Sequence, residues 1–147
     1  MAEHDAENVK PTPAVAAAVV ERGRVLMVRR RHPPHDDMLA LPGGRIESGE
    51  TLFEAAVREL NEETGLVAEA QRVVTAIDQL QYDKGGCLLS HFIIVVVTCR
   101  RVAGNAVAGD DASEIHWLEA QHIREASDLC ASARQVALEL LEGGQRR

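Results

Sequence analysis

The chain has 147 residues, 46% of them hydrophobic, and its 16 basic and 23 acidic side chains give a formal net charge of −7. That length suits one domain with a core of ordinary size, while the acidic balance excludes a nucleic-acid surface, which would be basic, and leaves any anionic substrate dependent on metal ions or a few local arginines. The longest apolar run, residues 92–97, is far too short to span a membrane, and the three separated cysteines (Cys87, Cys99, Cys130) form neither a CxxC pair nor a zinc pattern.

Residues 1–12 are polar, carry no apolar leader, and read as a flexible lead-in. Together with the odd cysteine count this points to a reducing, cytoplasmic compartment. Two apolar runs, Ala14 to Val20 and Arg24 to Val28, flank Glu21-Arg22-Gly23 and predict a β-hairpin. Arg29, Arg30 and Arg31 close its second strand, and residues 32–38 form a loop with two prolines. Leu39 to Leu41 reads as a short strand leading into Pro42-Gly43-Gly44, and Gly43, Gly44 and Gly49 as a loop in which backbone can approach a phosphate or a metal.

A helix is predicted over about residues 51–63. Thr51 followed by Glu54 is the capping-box pattern, and Gly65 is the stop expected of a C-terminal glycine. At about 100° per residue Phe53, Ala56, Val57 and Leu60 share the side that should pack on a core. Glu59, Glu62 and Glu63 stand at i, i+3 and i+4 on a neighbouring arc, with Ala55 leaving room within it. Arg58 borders the arc, where it can hold a carboxylate by a forked hydrogen bond. Like charges at that spacing repel unless a cation lies between them, and hard oxygen ligands on a rigid element suit Mg²⁺ or Mn²⁺.

Residues 67–82 should form a strand, straight or bent, followed by a polar turn at 83–86. The run Leu88 to Arg101, with six successive Ile, Val and Thr residues at 93–98, suits a strand buried on both faces. A Gly- and Ala-rich loop over 103–113 leads to a short strand at Glu114 to Leu118, then helices at Ala120 to Arg124 and Ser132 to Leu141. Strands flanked by helices give an α/β domain layered α/β/α, here one domain over 13–142 with a polar tail at 143–147.

The spacing extends beyond the three glutamates. Gly44, Glu50, Arg58, Glu59, Leu60, Glu62, Glu63, Gly65 and Leu66 satisfy every specified position of G-x5-E-x7-R-E-U-x-E-E-x-G-U, where U is a bulky aliphatic residue. On this motif the chain resembles the Nudix hydrolase family. The resemblance implies an α/β/α sandwich with a mixed central sheet, a loop–helix–loop catalytic motif, and hydrolysis of a pyrophosphate bond in a nucleoside diphosphate joined to another group.

It further implies that Glu59 and Glu63 are metal ligands and that Glu62 is a ligand or orients water. The Gly44 carbonyl and Glu47 are additional ligands under this reading. Glu50 and Arg58 have a structural role, Arg58 positioning the helix and its carboxylates. Glu114 is the candidate general base, with Asp110 and Asp111 as rivals. One of Arg29 and Arg30 should clamp a phosphate while the other faces away by strand alternation, and Tyr82 is a candidate to stack on a base. His91 and Trp117 are expected in the core. The pattern SHFIIVVVTCRR followed by AGDDASEIHWLE resembles bacterial ADP-ribose pyrophosphatases, which yield AMP and sugar phosphate. A nucleoside triphosphate pyrophosphohydrolase and a non-catalytic nucleotide sensor are the alternatives. The expected partner is a small nucleotide rather than nucleic acid or membrane, and the resemblance leaves a homodimer open.

Overall fold

The computed structural model describes residues 8–31, 37–109 and 112–143, with only the backbone of Ala112 and Ser113. Most of the expected lead-in and tail, the prolines of the 32–38 loop, and Asp110 and Asp111 lie outside the described residues. Among the described residues, no helix is long and apolar enough to cross a membrane.

Two four-stranded sheets lie between helices. In the first, the order is β5 (Gly43–Arg45), β1 (Thr12–Ala18), β7 (Leu88–Ala103) and β6 (Val67–Tyr82), with β1 parallel to β7 and the other pairs antiparallel. In the second, β3 (Arg24–Arg30) is flanked by β2 (Val20–Glu21), β4 (Leu39–Ala40) and β8 (Ala112–Glu119), all antiparallel to it. Helix α1 (Leu52–Thr64) covers one face, and α2 (Ala120–Glu125) and α3 (Ala131–Gly143) cover the other.

Alternation along the strands builds the two cores. Val15, Ala17 and Val19 pack with Leu26, Val97, Ala55 and Leu60 on the α1 side. Ala16 and Ala18 pack with Met27, Val96, Ile123 and Val136 on the α3 side. Successive side chains of a strand point to opposite faces, so a strand covered on both sides reads as a continuous apolar run. The alanines of β1 let it lie between β5 and β7 with helices above and below.

The hairpin predicted from residue 14 is shorter. Its turn, Arg22 (φ +54°) and Gly23 (φ +76°), has the two positive φ values of a type I′ connection. Only Val20 and Glu21 pair across it, however, and β1 belongs to the other sheet. Gly43 and Gly44 also differ from the expected loop, since they begin β5 and pair with β1. Glycine is required by proximity, because a Cβ on Gly43 would strike the Val15 carbonyl and the Ala16 Cα.

Helix α1 carries the predicted capping box, with Thr51 and Glu54 exchanging side-chain and backbone bonds, and it ends on Gly65 at φ 79°. Its buried side is rotated from the expected stripe. Ala55, Ala56 and Leu60 are fully buried, whereas Phe53 is 40% exposed. Small residues face the sheet because the helix lies close to it, and the rotation drives Glu63 and Thr64 into the interior. Strand β7 is likewise buried on both faces only around Val96, Val97 and Cys99, since Leu89 and Ile93 lie on a ribbon with β6 that runs past the helices. Four register shifts interrupt the β6–β7 pairing.

The second sheet is tied to the approach to α3 through Arg29. Its Nε donates to Glu114 at 2.9 Å, and its Nη1 donates to Asp128 at 2.9 Å and to the Asp37 carbonyl at 2.8 Å. Leu39 completes the junction, giving its N–H to Asp128 O and accepting from Cys130 N–H. The Arg29 guanidinium holds the Asp128 carboxyl below the usual range. A depressed folded-state pKa contributes stability that is full above the unfolded value of about 3.9 and disappears as pH falls through the folded one. Asp128→Asn should therefore lower Tm by a few degrees at pH 7, and the gap from wild type should close as pH drops below about 4. Thermal melts across pH check this, and a gap independent of pH contradicts it.

Candidate active site

The site forms where β5 crosses the face of α1. A Cβ on Gly44 would overlap the Glu59 carboxylate, so that carboxylate lies directly on the strand. Gly43 N–H donates to Glu63 Oε2 at 3.1 Å. Glu63 is only 5% exposed, so a titratable carboxyl sits in the interior next to a second acid. Burial first, and then the Glu59 charge and a Glu59 hydrogen bond, push the Glu63 carboxyl up to about 8, against the opposing pull of Arg30 and the Gly43 N–H.

Arg58 holds the outer half of the acid cluster. Its Nε and Nη2 reach the two oxygens of Glu50 at 2.5 and 2.9 Å, a forked pair. Its Nη1 donates to Glu59 and to Glu62, each at 3.2 Å, and Nη2 also binds the Arg45 carbonyl at 3.0 Å. The Glu50 carboxyl is held at about 2, first by that Arg58 bond and then by the Glu47 N–H. Arg58 thus ties the 45–50 turn to α1 and sets the direction of Glu59. Glu47 stays largely in solvent, 3.8 Å from Arg58.

A cavity of about 780 Å³ opens beside the Glu59 and Glu63 carboxyls. At one end lie Gly43, Gly44, Glu59, Glu63 and Arg30. Gln79, Gln81, Ser90 and Phe92, from the β6–β7 ribbon, form another wall, and Arg45 stands over the Phe92 ring at 5.8 Å. Cys130, Ser132 and Ala133, around the start of α3, close a third side.

The oxygen donors present fit a hard divalent cation. Two carboxyls in hydrogen-bonding contact, one of them buried, carry a charge conflict that such an ion would relieve. Among the described residues, no three acidic, histidine or cysteine side chains already converge as a complete metal site. Glu59 and Glu63 form the inner pair, while Glu62, 44% exposed, is engaged by Arg58.

The other expected residues divide between the two faces of the second sheet. Arg30 lines the cavity, whereas Arg29 faces the α3 side, where Glu114 and Asp128 bind it. Alternation separates the two arginines as expected. Glu114 stands opposite Arg29 in the β3–β8 register, is also within 2.8 Å of His116 Nε2, and is absent from the cavity lining. It stands within β8 rather than on a loop before it, and its parity there sets it on the face away from the acidic helix. Tyr82 is 56% exposed at the ribbon's end and does not line the cavity either. The aromatic ring that does is Phe92, with Arg45 and the two glutamines beside it. The sequence signal for that wall was the alternation of Ser90, Phe92 and Ile94 along β7.

Comparison with known proteins agrees with this arrangement. The model of the NUDIX domain matches residues 10–140. The ADP-ribose pyrophosphatase of Methanocaldococcus jannaschii is 33% identical over 113 residues, which cover 77% of this chain and 64% of that protein, so the chain spans somewhat less than two thirds of it. The Escherichia coli phosphatase NudJ is 30% identical over 137 residues, 93% of this chain and 87% of its own. Among solved structures, the MutT NUDIX hydrolase of Burkholderia pseudomallei superposes with a TM-score of 0.76 at 23% identity, covering 88% of this chain and 97% of that one. With the acidic helix, the glycine strand and the matched domain in agreement, the chain belongs to the Nudix hydrolase family.

Proposed function

We propose that the protein hydrolyses the pyrophosphate bond of a nucleoside diphosphate derivative, with ADP-ribose or a related ADP-sugar as the substrate and AMP plus sugar phosphate as the products. The observation that carries this reading is the pair of adjoining carboxyls, buried Glu63 and half-buried Glu59, at one end of a cavity that also holds two arginines, Arg30 and Arg45. A cavity of about 780 Å³ is in the range that encloses a small ligand. Support for the substrate class comes from the 33% identical archaeal relative, whose name states ADP-ribose.

In this reading Glu59 and Glu63 hold Mg²⁺ or Mn²⁺, with Glu62, the Gly44 carbonyl and Glu47 as further oxygen donors. A divalent ion there supplies neutralisation of phosphate charge and acidifies water for attack on phosphorus. The chain does the positioning. Arg30 is the cation at the cavity's acidic end and binds a phosphate oxygen pair by its fork. Gly44 leaves the space that the Glu59 carboxylate occupies. Arg58 keeps Glu59 and Glu62 aimed, and Glu50 keeps Arg58 in place. Phe92 offers a ring face to the nucleobase, and the amides of Gln79 and Gln81 offer both donors and acceptors to its edge. Glu114, bound to Arg29 and His116, stabilises the β3–β8 pair instead of taking the water's proton.

A second reading, removal of a terminal phosphate, is favoured by the name of the Escherichia coli relative, a phosphatase. Product analysis separates the two. AMP and ribose 5-phosphate from ADP-ribose support the first, orthophosphate from a nucleoside di- or triphosphate supports the second, and pyrophosphate release from triphosphates contradicts both.

Three substitutions test the roles. Glu63→Gln keeps shape and removes charge, and should reduce kcat by roughly a hundredfold or more, the scale of losing electrostatic stabilisation at the reacting centre, with the melting profile retained. Glu114→Gln should leave kcat within a few-fold of wild type, and a loss as large as that of Glu63→Gln restores Glu114 as the base. Phe92→Ala should raise KM by about ten- to a hundredfold, as loss of base stacking at about 1–3 kcal/mol implies, with kcat at saturation little changed. Steady-state kinetics at saturating Mg²⁺ read all three.

A further inference from the structure

The last carbonyls of a helix have no partners within it. At the end of α1, two of them are taken by a segment that arrives after β7. Val107 N–H donates to Thr64 O at 2.8 Å, and Gly109 N–H donates to Glu63 O at 2.7 Å. The approach is closest at Gly109, where a Cβ would overlap Glu62 O and stand 3.1 Å from Glu63 O. A similar approach is made at the other end of the segment, where a Cβ on Gly104 would lie 2.9 Å from Gly65 O. Val107 between them is 65% exposed, so its side chain contributes little to the attachment. The strap from Gly104 to Gly109 is therefore fastened to α1 chiefly by main chain.

The residues it fastens carry the acids. Gly109 lies against the carbonyls of Glu62 and Glu63, and the backbone of those two residues sets the direction in which their carboxylates leave the helix. Glu63 is buried against Glu59 and Gly43, so its carboxylate has little freedom to correct a rotated backbone. Groups that orient metal ligands without touching the metal alter affinity strongly.

We propose that the Gly104–Gly109 strap positions the metal-binding carboxylates by fixing the main chain of Glu62 and Glu63, and that Gly109 is a positioning residue because the strap can approach those two carbonyls only without a side chain there. This rests on the reading of Glu59 and Glu63 as metal ligands. Coupling between two sites is reciprocal, so an ion held by Glu63 must tighten the Gly109 and Val107 hydrogen bonds by the same factor by which they tighten its binding.

The test is a Mn²⁺ titration of the full chain, followed by electron paramagnetic resonance, for wild type, Gly109→Ala, Val107→Pro and Val107→Ala, with substrate kinetics at saturating Mn²⁺ alongside. Gly109→Ala and Val107→Pro should weaken Mn²⁺ binding by roughly ten- to a hundredfold, the range for residues that orient ligands. Val107→Ala, which keeps the N–H, should bind as wild type does, and KM at saturating Mn²⁺ should stay within a few-fold in every variant. A folded Gly109→Ala with wild-type Mn²⁺ affinity overturns the proposal. Should both strap variants fail to fold, amide exchange in wild type decides: slower exchange at Val107 and Gly109 when Mg²⁺ is added supports it, and unchanged exchange overturns it. A wild-type protein that takes up no Mn²⁺ removes the metal reading and this proposal together, whereas normal uptake by wild type and variants alike removes the strap's role only.

Discussion

The close contact between the β5 glycines and the acidic face of α1 is the constraint on which the site depends. Two carboxyls that water would otherwise keep apart are pressed against one strand, and one of them is almost fully enclosed. Enclosure makes each unit of charge costly unless it is matched. The surrounding residues answer that cost in different ways. Arg58 matches the outer acids with a fork and two further bonds, the Gly43 N–H meets an oxygen of Glu63, and the inner pair is left suited to a divalent ion. Removing the glycines would not merely loosen a turn. It would expel the Glu59 carboxylate from the place the strand leaves for it.

The rest of the domain keeps that contact fixed. Helix α1 faces the sheet with alanines, and the small side chains of β1 let helices approach both faces of the same strand. The cavity inherits an asymmetry from this packing. Its acidic end comes from elements locked into two cores, while the wall with Gln79, Gln81 and Phe92 comes from a ribbon reaching past the helices, where Leu89 and Ile93 remain in solvent.

Much of this was legible in the chain itself. The motif spacing fixed the acidic helix, its cap and its stop, because those depend on local rules of period and capping. Alternation separated Arg29 from Arg30. What failed needed information about partners. The stripe of α1 was rotated because Phe53 looks like a core residue until the neighbouring layer demands Ala55 and Ala56 at close range. Glu114 looked free until the register set it opposite Arg29. Gly43 and Gly44 read as loop residues, although their reasons lie far away in sequence, the Val15 carbonyl for Gly43 and the Glu59 carboxylate for Gly44. Phe92 was passed over for Tyr82, since a turn-proximal tyrosine attracts notice and the parity of a long apolar strand does not.

The ribbon that walls the cavity leaves β6 at the border of its sheet, sixteen residues long. A straight strand of that length would offer its outward N–H and C=O groups to any extended chain it met, the usual route to edge-to-edge aggregation. The register shifts break it up, so that between the shift at Val73/Thr75 and the one at Gln81/Tyr82 only Thr75 to Gln81 pairs with β7 without interruption. Each irregularity bends and twists the strand locally, so a neighbouring chain would lose its alignment within a few residues. The bends thus work against edge-to-edge pairing of this long strand with a second copy.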